Sequence, residues 1–306
     1  MPVLADNDYY EEETKDEFEK AKTRSGIHLF NPKTPVELQL PGGIQKFTDI
    51  LMEATFRKDM KNVVYEWWWS KKMDFPLFEV TSEQYRDGRL NYSIEDYVKQ
   101  SKEVGNKDFY YVMGEETPTK FLYDVTDRYL VIRINGRYAL FEHLDRFDDA
   151  TFYDRVFIKG DLDIKVIRLV YDDPLPVPLS LPLSSSGIQK GDRYEIKAKN
   201  PRNAKEFVLV FGDQSLEIPL NVEQEEVVLE VTGVEHGRCT ARLNGVEMAG
   251  VISQGPFLTD RMVLEGDLDF HWVAIVKPGG NEGAAEGIKE REEKLDAGEK
   301  SNTDKA

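Results

Sequence analysis

The stretch "DRVFIKGDLDIKV", Asp154 to Val166, is answered near the other end of the chain by "DRMVLEGDLDFHW", Asp260 to Trp272. Six letters coincide in register: Asp154/Asp260, Arg155/Arg261, Gly160/Gly266, Asp161/Asp267, Leu162/Leu268 and Asp163/Asp269. Each copy sets two carboxylates at i and i+2 behind a glycine. A calcium loop needs many more oxygen ligands close by, and neither copy is surrounded by them. Strand alternation gives the better reading. Asp161 and Asp163 fall on one face of a strand, and Leu162 and Ile164 on the other. Copy two repeats this with Asp267, Leu268, Asp269 and Phe270. "GDLD" is therefore expected to be scaffold: a wet face backed by a core face. Its recurrence acts as a ruler that sets two stretches of chain in register.

Working outward from that ruler, other segments pair in the same order. "DRYLVIRING" (127–136) alternates polar and apolar residues and stops at Asn135-Gly136. Asn-Gly is the preferred two-residue hairpin turn, because both positions need φ > 0. "HGRCTARLNG" (236–245) has the same layout and ends at Asn244-Gly245. "GIQK" occurs at 43–46 and again at 187–190. Between "GIQK" and Asn-Gly the second copy is the shorter one. "KGDRYEIKAK", "KEFVLVFG" and "QSLEIPLNV" within 190–222 read as three more strands between turns. Short strands at this spacing predict an antiparallel sandwich. "SIEDYVKQSKEVGN" (93–106) reads instead as helical or irregular, with Ser93 and Asp96 spaced like a capping box. A linker is expected near 170–180, where prolines and an acidic pair interrupt the pattern.

Composition narrows the function. The 306 residues carry a formal net charge of −17, which disfavours nucleic-acid phosphates and anionic membrane surfaces as partners. No apolar run approaches the roughly 20 residues that span a bilayer. The acidic N-terminus does not read as a signal peptide. The single cysteine, Cys239, rules out an internal disulfide framework, and it is expected to be a small buried thiol. A cytoplasmic location is expected, with the nucleus, or secretion without a signal peptide, as alternatives. Residues 1–25 are expected to be a disordered acidic tail, and 278–306 a second charged tail, disordered or partly helical.

The order of these elements resembles the galectin carbohydrate-recognition domain. "LPGGIQKFTDILMEATF" (40–56) is similar to the family's opening strands. "YLVIRINGRYALFEHL" and "DRVFIKGDLDIKVIRLV" look like its closing strands. "VPLSLPLSSSGIQKGDRYEIKAKNPRNAKEFVLVFGDQSLEIPLNV" (177–222) is similar to the family's first four strands. The resemblance implies an all-β chain of two galectin-like, jelly-roll β-sandwich domains in tandem, 26–172 and a shortened 173–277.

The family's sugar motif fits less closely. It has a run like His-x-Asn-Pro-Arg, then Val-x-Asn, then Trp-Gly, because Arg, His and Asn donate to galactose hydroxyls while Trp stacks on the apolar sugar face. The matching stretch here, "FPLFEVTSEQYRDGRLNYS" (75–93), keeps one Asn, Asn91. No Trp-Gly follows, and copy two lacks the central stretch. "HLFNPK" (28–33) looks like a displaced sugar motif and reads better as a turn set by Asn31-Pro32, ahead of the first strand. "KNPRNAKEF" (199–207) reads as a polar loop. "YEWWWS" (65–70) is the most unusual run. Trp67 and Trp69 share one strand face and Trp68 takes the other, so Trp67 and Trp69 with Asn91 are the candidate ligand-binding residues. The competing reading has Trp68 filling the core and the other two packed under 93–106.

His28, His143, His236 and His271 lie too far apart to suggest a metal site, and no catalytic motif is present. No cofactor, metal or catalytic residue is expected, and the chain is not expected to be an enzyme. Two functions follow. One is a galectin-like module binding a glycan or glycoprotein bearing β-galactosides. The other is an intracellular protein–protein interaction module on the same fold with sugar binding lost.

Overall fold

The computed structural model describes residues 19–21, 24–40, 49–56, 62–68, 78–84, 90–96, 101–107, 119–125, 129–134, 137–143, 154–171, 174–175, 177–183, 187–212, 214–220, 225–234, 238–248 and 261–278. These residues are nearly all strand. In chain order the first half holds β1 (Gly26–Phe30), β2 (Val36–Gln39), β3 (Asp49–Phe56), β4 (Asn62–Trp68), β5 (Phe78–Gln84), β6 (Leu90–Asp96), β7 (Ser101–Lys107), β8 (Thr119–Val125), β9 (Tyr129–Ile134), β10 (Arg137–His143), β11 (Arg155–Gly160) and β12 (Leu162–Val170). The second half holds β13 (Leu179–Pro182), β14 (Arg193–Lys199), β15 (Glu206–Phe211), β16 (Gln214–Pro219), β17 (Glu226–Gly233), β18 (Cys239–Leu243), β19 (Val246–Glu247), β20 (Arg261–Glu265) and β21 (Asp269–Val276).

Three sheets result. The largest has eleven strands in the order β10-β9-β8-β3-β12-β1-β21-β14-β17-β18-β19. A six-stranded sheet runs β2-β11-β4-β5-β6-β7, and a four-stranded one runs β13-β20-β15-β16. The order β19-β18-β17-β14-β21 follows β10-β9-β8-β3-β12 strand for strand. The order β13-β20-β15-β16 likewise follows β2-β11-β4-β5 and, among the described residues, stops where β6 and β7 would come. The halves share one strand, β1, which pairs antiparallel with β12 and parallel with β21. A bulge recurs as well. Lys165 is skipped between Ile164 and Val166 opposite Ala54 and Glu53. His271 is skipped between Phe270 and Trp272 opposite Ala198 and Lys197.

Alternation puts one face of each strand into the core. Along β17 every second residue is buried, giving Val227, Leu229, Val231 and Gly233. Phe207 of the four-stranded sheet meets Phe270 of the large sheet edge to face, ring centres 6.2 Å apart. One contiguous buried cluster extends from Ile27, Ile50 and Val156 to Leu209, Leu264 and Ile275. Each fully buried side chain of this kind contributes about 1.5–3 kcal/mol.

"GDLD" lies at a corner. β11 ends in the six-stranded sheet at Gly160, Asp161 makes a bend, and β12 starts in the large sheet at Leu162. Leu162, Leu268 and Phe270 are buried, whereas Asp163 and Asp267 are exposed, so the repeat is scaffold as expected. Each glycine is needed for its backbone angle: φ is 118° at Gly160 and 140° at Gly266. A Cβ on Gly266 would also lie 2.9 Å from Cβ of Phe207. The second hairpin forms as expected, with Asn244 at φ 49°, Gly245 at φ 78° and Leu243 opposite Val246. In the first hairpin Ile134 stands opposite Arg137.

Two other expectations need correction, the helix or irregular segment over 93–106 and the place of "HLFNPK". Within 93–106 no helix forms in the described residues; 90–96 and 101–107 are paired strands, with Leu90 opposite Lys107 and Asp96 opposite Ser101. Leu90, Tyr92 and Ile94 alternate with Asn91, Ser93 and Glu95, and this period of two outweighs the capping-like Ser93/Asp96 spacing. "HLFNPK" does not precede the first strand: His28 to Phe30 belong to β1 at the centre of the large sheet, and Asn31, at φ 53°, ends it. Residues 19–21, within the expected tail, form a helical turn whose Ala21 packs with Leu51, Leu122 and Val170. Arg24 pairs with Asp49 at 3.1 Å. In the expected linker Leu175 is buried and its N–H donates to the Phe270 carbonyl at 2.6 Å.

The four-stranded sheet ends at β16. Leu220 N–H donates to the Lys205 carbonyl, and Ile218 stands opposite Phe207. Even-numbered residues therefore bond to β15, and the backbone groups of 215, 217 and 219 point the other way. Position 219 is proline, which has no N–H to offer there, so the edge is blunted against another strand.

Replacing Gly266 by alanine should destabilise the protein by about 1–3 kcal/mol through the left-handed φ and the Phe207 contact. A urea midpoint within error of wild type would overturn this account of the corner.

Candidate functional site

The outer face of the six-stranded sheet is the candidate site, and register defines it. Val36, Leu38, Val63, Val156 and Ile158 are buried in the core. Their neighbours on the same strands face outward: Glu37 on β2, Arg155, Phe157 and Lys159 on β11, Val64 and Glu66 on β4. Pairing carries the same face across the sheet. Glu66 stands opposite Glu79, and Val64 opposite Thr81. Glu79, Thr81 and Glu83 stand opposite Glu95, Ser93 and Asn91. Asn91 stands opposite Asn106 in turn.

At the β2–β11–β4 end the side chains form a linked set. The Phe157 ring has the Arg155 guanidinium carbon and the Lys159 ammonium each 5.6 Å from its centre. Lys159 Nζ donates to Glu66 Oε1 at 2.6 Å, and Arg155 reaches Glu37 at 3.5 Å. Two cations at i±2 on one strand thus bracket an aromatic ring, and a carboxylate on each flanking strand pins one cation. Glu66 is buried although it is ionisable, and the ammonium is what makes that burial tolerable. Lys159 stays 43% exposed, so solvent screening limits the pair to about 1 kcal/mol or less. Its effect is to hold Lys159 and Phe157 in place. Chemically the face offers an aromatic ring, fixed cations, and acceptors at the Glu and Asn positions.

Of the three sequence-predicted residues, Trp67 and Asn91 have described backbone positions in the six-stranded sheet. Trp67 lies on β4 opposite Val156 and Phe78, a register position shared with buried Val63. Asn91 lies on β6 opposite Glu83 and Asn106, on the outer face. Trp69 lies outside the described residues. The member of the tryptophan run at an outer-face position is Trp68, opposite Arg155. Sequence reading missed Arg155, Phe157, Lys159 and Glu66. The signal was present in "DRVFIKG", whose alternation ahead of "GDLD" separates Arg, Phe and Lys from Val and Ile.

The remaining polar residues have structural settings. In "KNPRNAKEF" Asn200 bridges its own loop: its Oδ1 accepts from Ala204 N–H at 2.7 Å and its Nδ2 donates to the Ala204 carbonyl at 3.1 Å. Asn203 has φ 52°, and the segment is a loop as expected. His28 is buried with its ring 5.5 Å from that of Trp272. His271 lies on β21, its Nδ1 3.2 Å from the Asp269 carbonyl. His143 ends β10, and His236 lies outside the described residues. Among the described residues no three His, Cys, Asp or Glu side chains cluster as a metal site. Cys239 is buried, and burial pushes its thiol up to about 12, so little thiolate exists near neutrality.

Two outcomes follow. A double-mutant cycle on Lys159→Met and Glu66→Gln should give a coupling of about 0.5–1 kcal/mol that shrinks with salt; a coupling indistinguishable from zero at low salt would remove the pair from the site. Because the thiolate form grows only as pH rises through the thiol's pKa, alkylation of native Cys239 should climb without a plateau between about pH 7 and 10, whereas in denaturant it should level off above about 8.5.

No protein-family model matches the chain, and no curated protein matches it. Among solved structures the chain is similar to Caenorhabditis elegans galectin LEC-6, a crystal structure, at 12% identity and a TM-score of 0.38, over 47% of this chain and 96% of that one.

Proposed function

We propose that the chain is a non-enzymatic, galectin-like binding module of two sandwiches in tandem, and that the outer face of its six-stranded sheet receives the ligand. The observation that carries this reading is the register of that face. Asn91, Ser93, Thr81, Glu79 and Glu83 fall together at outward register positions on β5 and β6, and β4 separates them from an aromatic ring on β11, Phe157, held between two cations. Amide and carboxylate oxygens accept from hydroxyls, and an aromatic ring covers an apolar sugar face. A glycan bearing β-galactosides is the ligand this reading favours, with Asn91 as a contact. No cofactor takes part. The net charge of −17 weighs against nucleic acid.

One observation favours a second reading, an intracellular protein-interaction module that has lost sugar binding. Outward positions on β5 are Glu79, Thr81 and Glu83, two of which only accept hydrogen bonds, where galactoside recognition of the family's kind uses His and Arg donors. A polar site whose donors are replaced no longer pairs its ligand.

A lactose-affinity column followed by a glycan array separates the two. Retention eluted by lactose and weakened by Asn91→Ala supports the glycan reading. No retention on lactose or any arrayed glycan, together with a stoichiometric protein partner whose binding is lost in Phe157→Ala, overturns it.

A further inference from the structure

The repeat gives each half an outer face built on equivalent strands, and the two faces differ in chemistry. Shared order aligns β13, β20, β15 and β16 with β2, β11, β4 and β5. In the first half Phe157 stands opposite Glu37 and Glu66, and Lys159 opposite Val64. In the second half Val263 stands opposite Ser180 and Val210, and Glu265 opposite Val208. Val263 thus takes the place of the aromatic ring and Glu265 that of its lysine. Ser180 and Val210 take the places of the two carboxylates that pin the cations. Thr81, opposite Val64, gives way to Glu217, opposite Val208.

These second-half residues lie on the side of the sheet away from the core. Leu181, Leu209, Met262, Leu264 and Ile218 are in the core, and their neighbours along each strand alternate outward. Val208, Val210 and Val263 are each partly exposed, at adjoining positions of β15 and β20. Three exposed carboxylates border them. Glu265 and Glu217 flank Val208 across the sheet, and Glu206 lies two residues before it on β15. Among the described residues none of these three side chains is held in an ion pair or a hydrogen bond. Arg261, also exposed, is at the other end of β20 from Glu265, about 13 Å along the strand. Aliphatic surface rimmed by polar groups is what interaction sites present.

We propose that this outer face of the four-stranded sheet docks a basic, aliphatic segment of another protein, so that the two halves serve two different ligands. Charge fixes the partner's chemistry. Lysine or arginine meets the three carboxylates favourably, whereas phosphates, acidic lipids and a second copy of this face meet like charge. The net charge of −17 steers cationic partners in the same sense. Where the first half has Phe157 this face has Val263, so no ring stands there to cover a sugar. Reach is short. Val210 and Glu206 are about 13 Å apart along β15, so a segment with aliphatic residues at its centre and cations a few residues away contacts both. Pro219 blunts the edge at β16, so the partner lies on the face and adds no strand beside it.

Fluorescence anisotropy on the full chain tests this, with a labelled peptide of central valines flanked by lysines and two controls, serine for valine and glutamate for lysine. The lysine–valine peptide should bind, and each control should bind at least about tenfold more weakly. Two double variants, Val210→Ser with Val263→Ser and Glu217→Lys with Glu265→Lys, should each weaken binding about tenfold while behaving as wild type on the lactose column. Amide hydrogen exchange, which needs no variant, should slow over 206–211 and 261–265 when the peptide is added and stay unchanged over 155–160. Equal binding of the serine control, slowing confined to other segments, or full binding by both variants at the wild-type melting temperature overturns the proposal. A dimer of the chain that the valine variant breaks apart overturns it too, since the occupant is then a second copy.

Discussion

Five residues hold the two halves of this chain in one sheet. β1 supplies backbone partners to β12 on one side and β21 on the other, from Gly26 to Phe30 on both. Without it each half would end in a strand edge of unpaired N–H and C=O groups. Because β1 is antiparallel to β12 and parallel to β21, those two strands run in opposite directions, and the halves oppose each other across the seam. The geometry leaves little slack. A Cβ at Gly26 would fall 2.2 Å from the Leu169 carbonyl oxygen, so a side chain there would push β12 away from its partner. Ile27 and Leu29 meanwhile insert into the core common to both halves.

From that seam the two halves diverge in use. The first extends its smaller sheet through β6 and β7 and so builds a broad outer face with the Phe157 set at one end and Asn91 toward the other. Among the described residues the second stops at β16, where Pro219 removes the N–H that a further strand would need. The second half also fixes its own turn internally: buried Asp192 accepts from Gln189 N–H at 3.0 Å and from Lys277 Nζ at 2.8 Å, and Lys277 also reaches the Tyr194 hydroxyl. Its polar chemistry goes into closing the sandwich, whereas that of the first half lies on an open surface.

Much of the fold was legible because it is local. The alternation after Gly160 and Gly266, the Asn244-Gly245 turn and the loop at 199–207 each need only a few neighbouring residues to be read. The place of β1 was not legible, since its parallel partner lies almost at the other end of the sequence and parallel pairing leaves no turn signal. The hairpin of β6 and β7 was missed because its polar residues alternate with few large apolar ones, while Ser93 and Asp96 happened to match a helix-start spacing. For the site, period alone was insufficient. Three consecutive tryptophans fix an alternation and leave its phase open. The phase is set by Val63 in the core and by Glu66 bonded to Lys159, contacts that reach across the sheet to β11. Trp67 thus takes an inward register position while Asn91 takes an outward one.

The seam also orders events in time. A ribosome releases β1 well before β21. The first half can pair β1 with β12 while the second is still being made, but the other side of β1 must wait until the second half has emerged. Contacts of such sequence separation form slowly. In that interval the nascent first half carries an open parallel-pairing edge, so this protein has a built-in period of dependence on dilution or chaperones that ends only when β21 arrives.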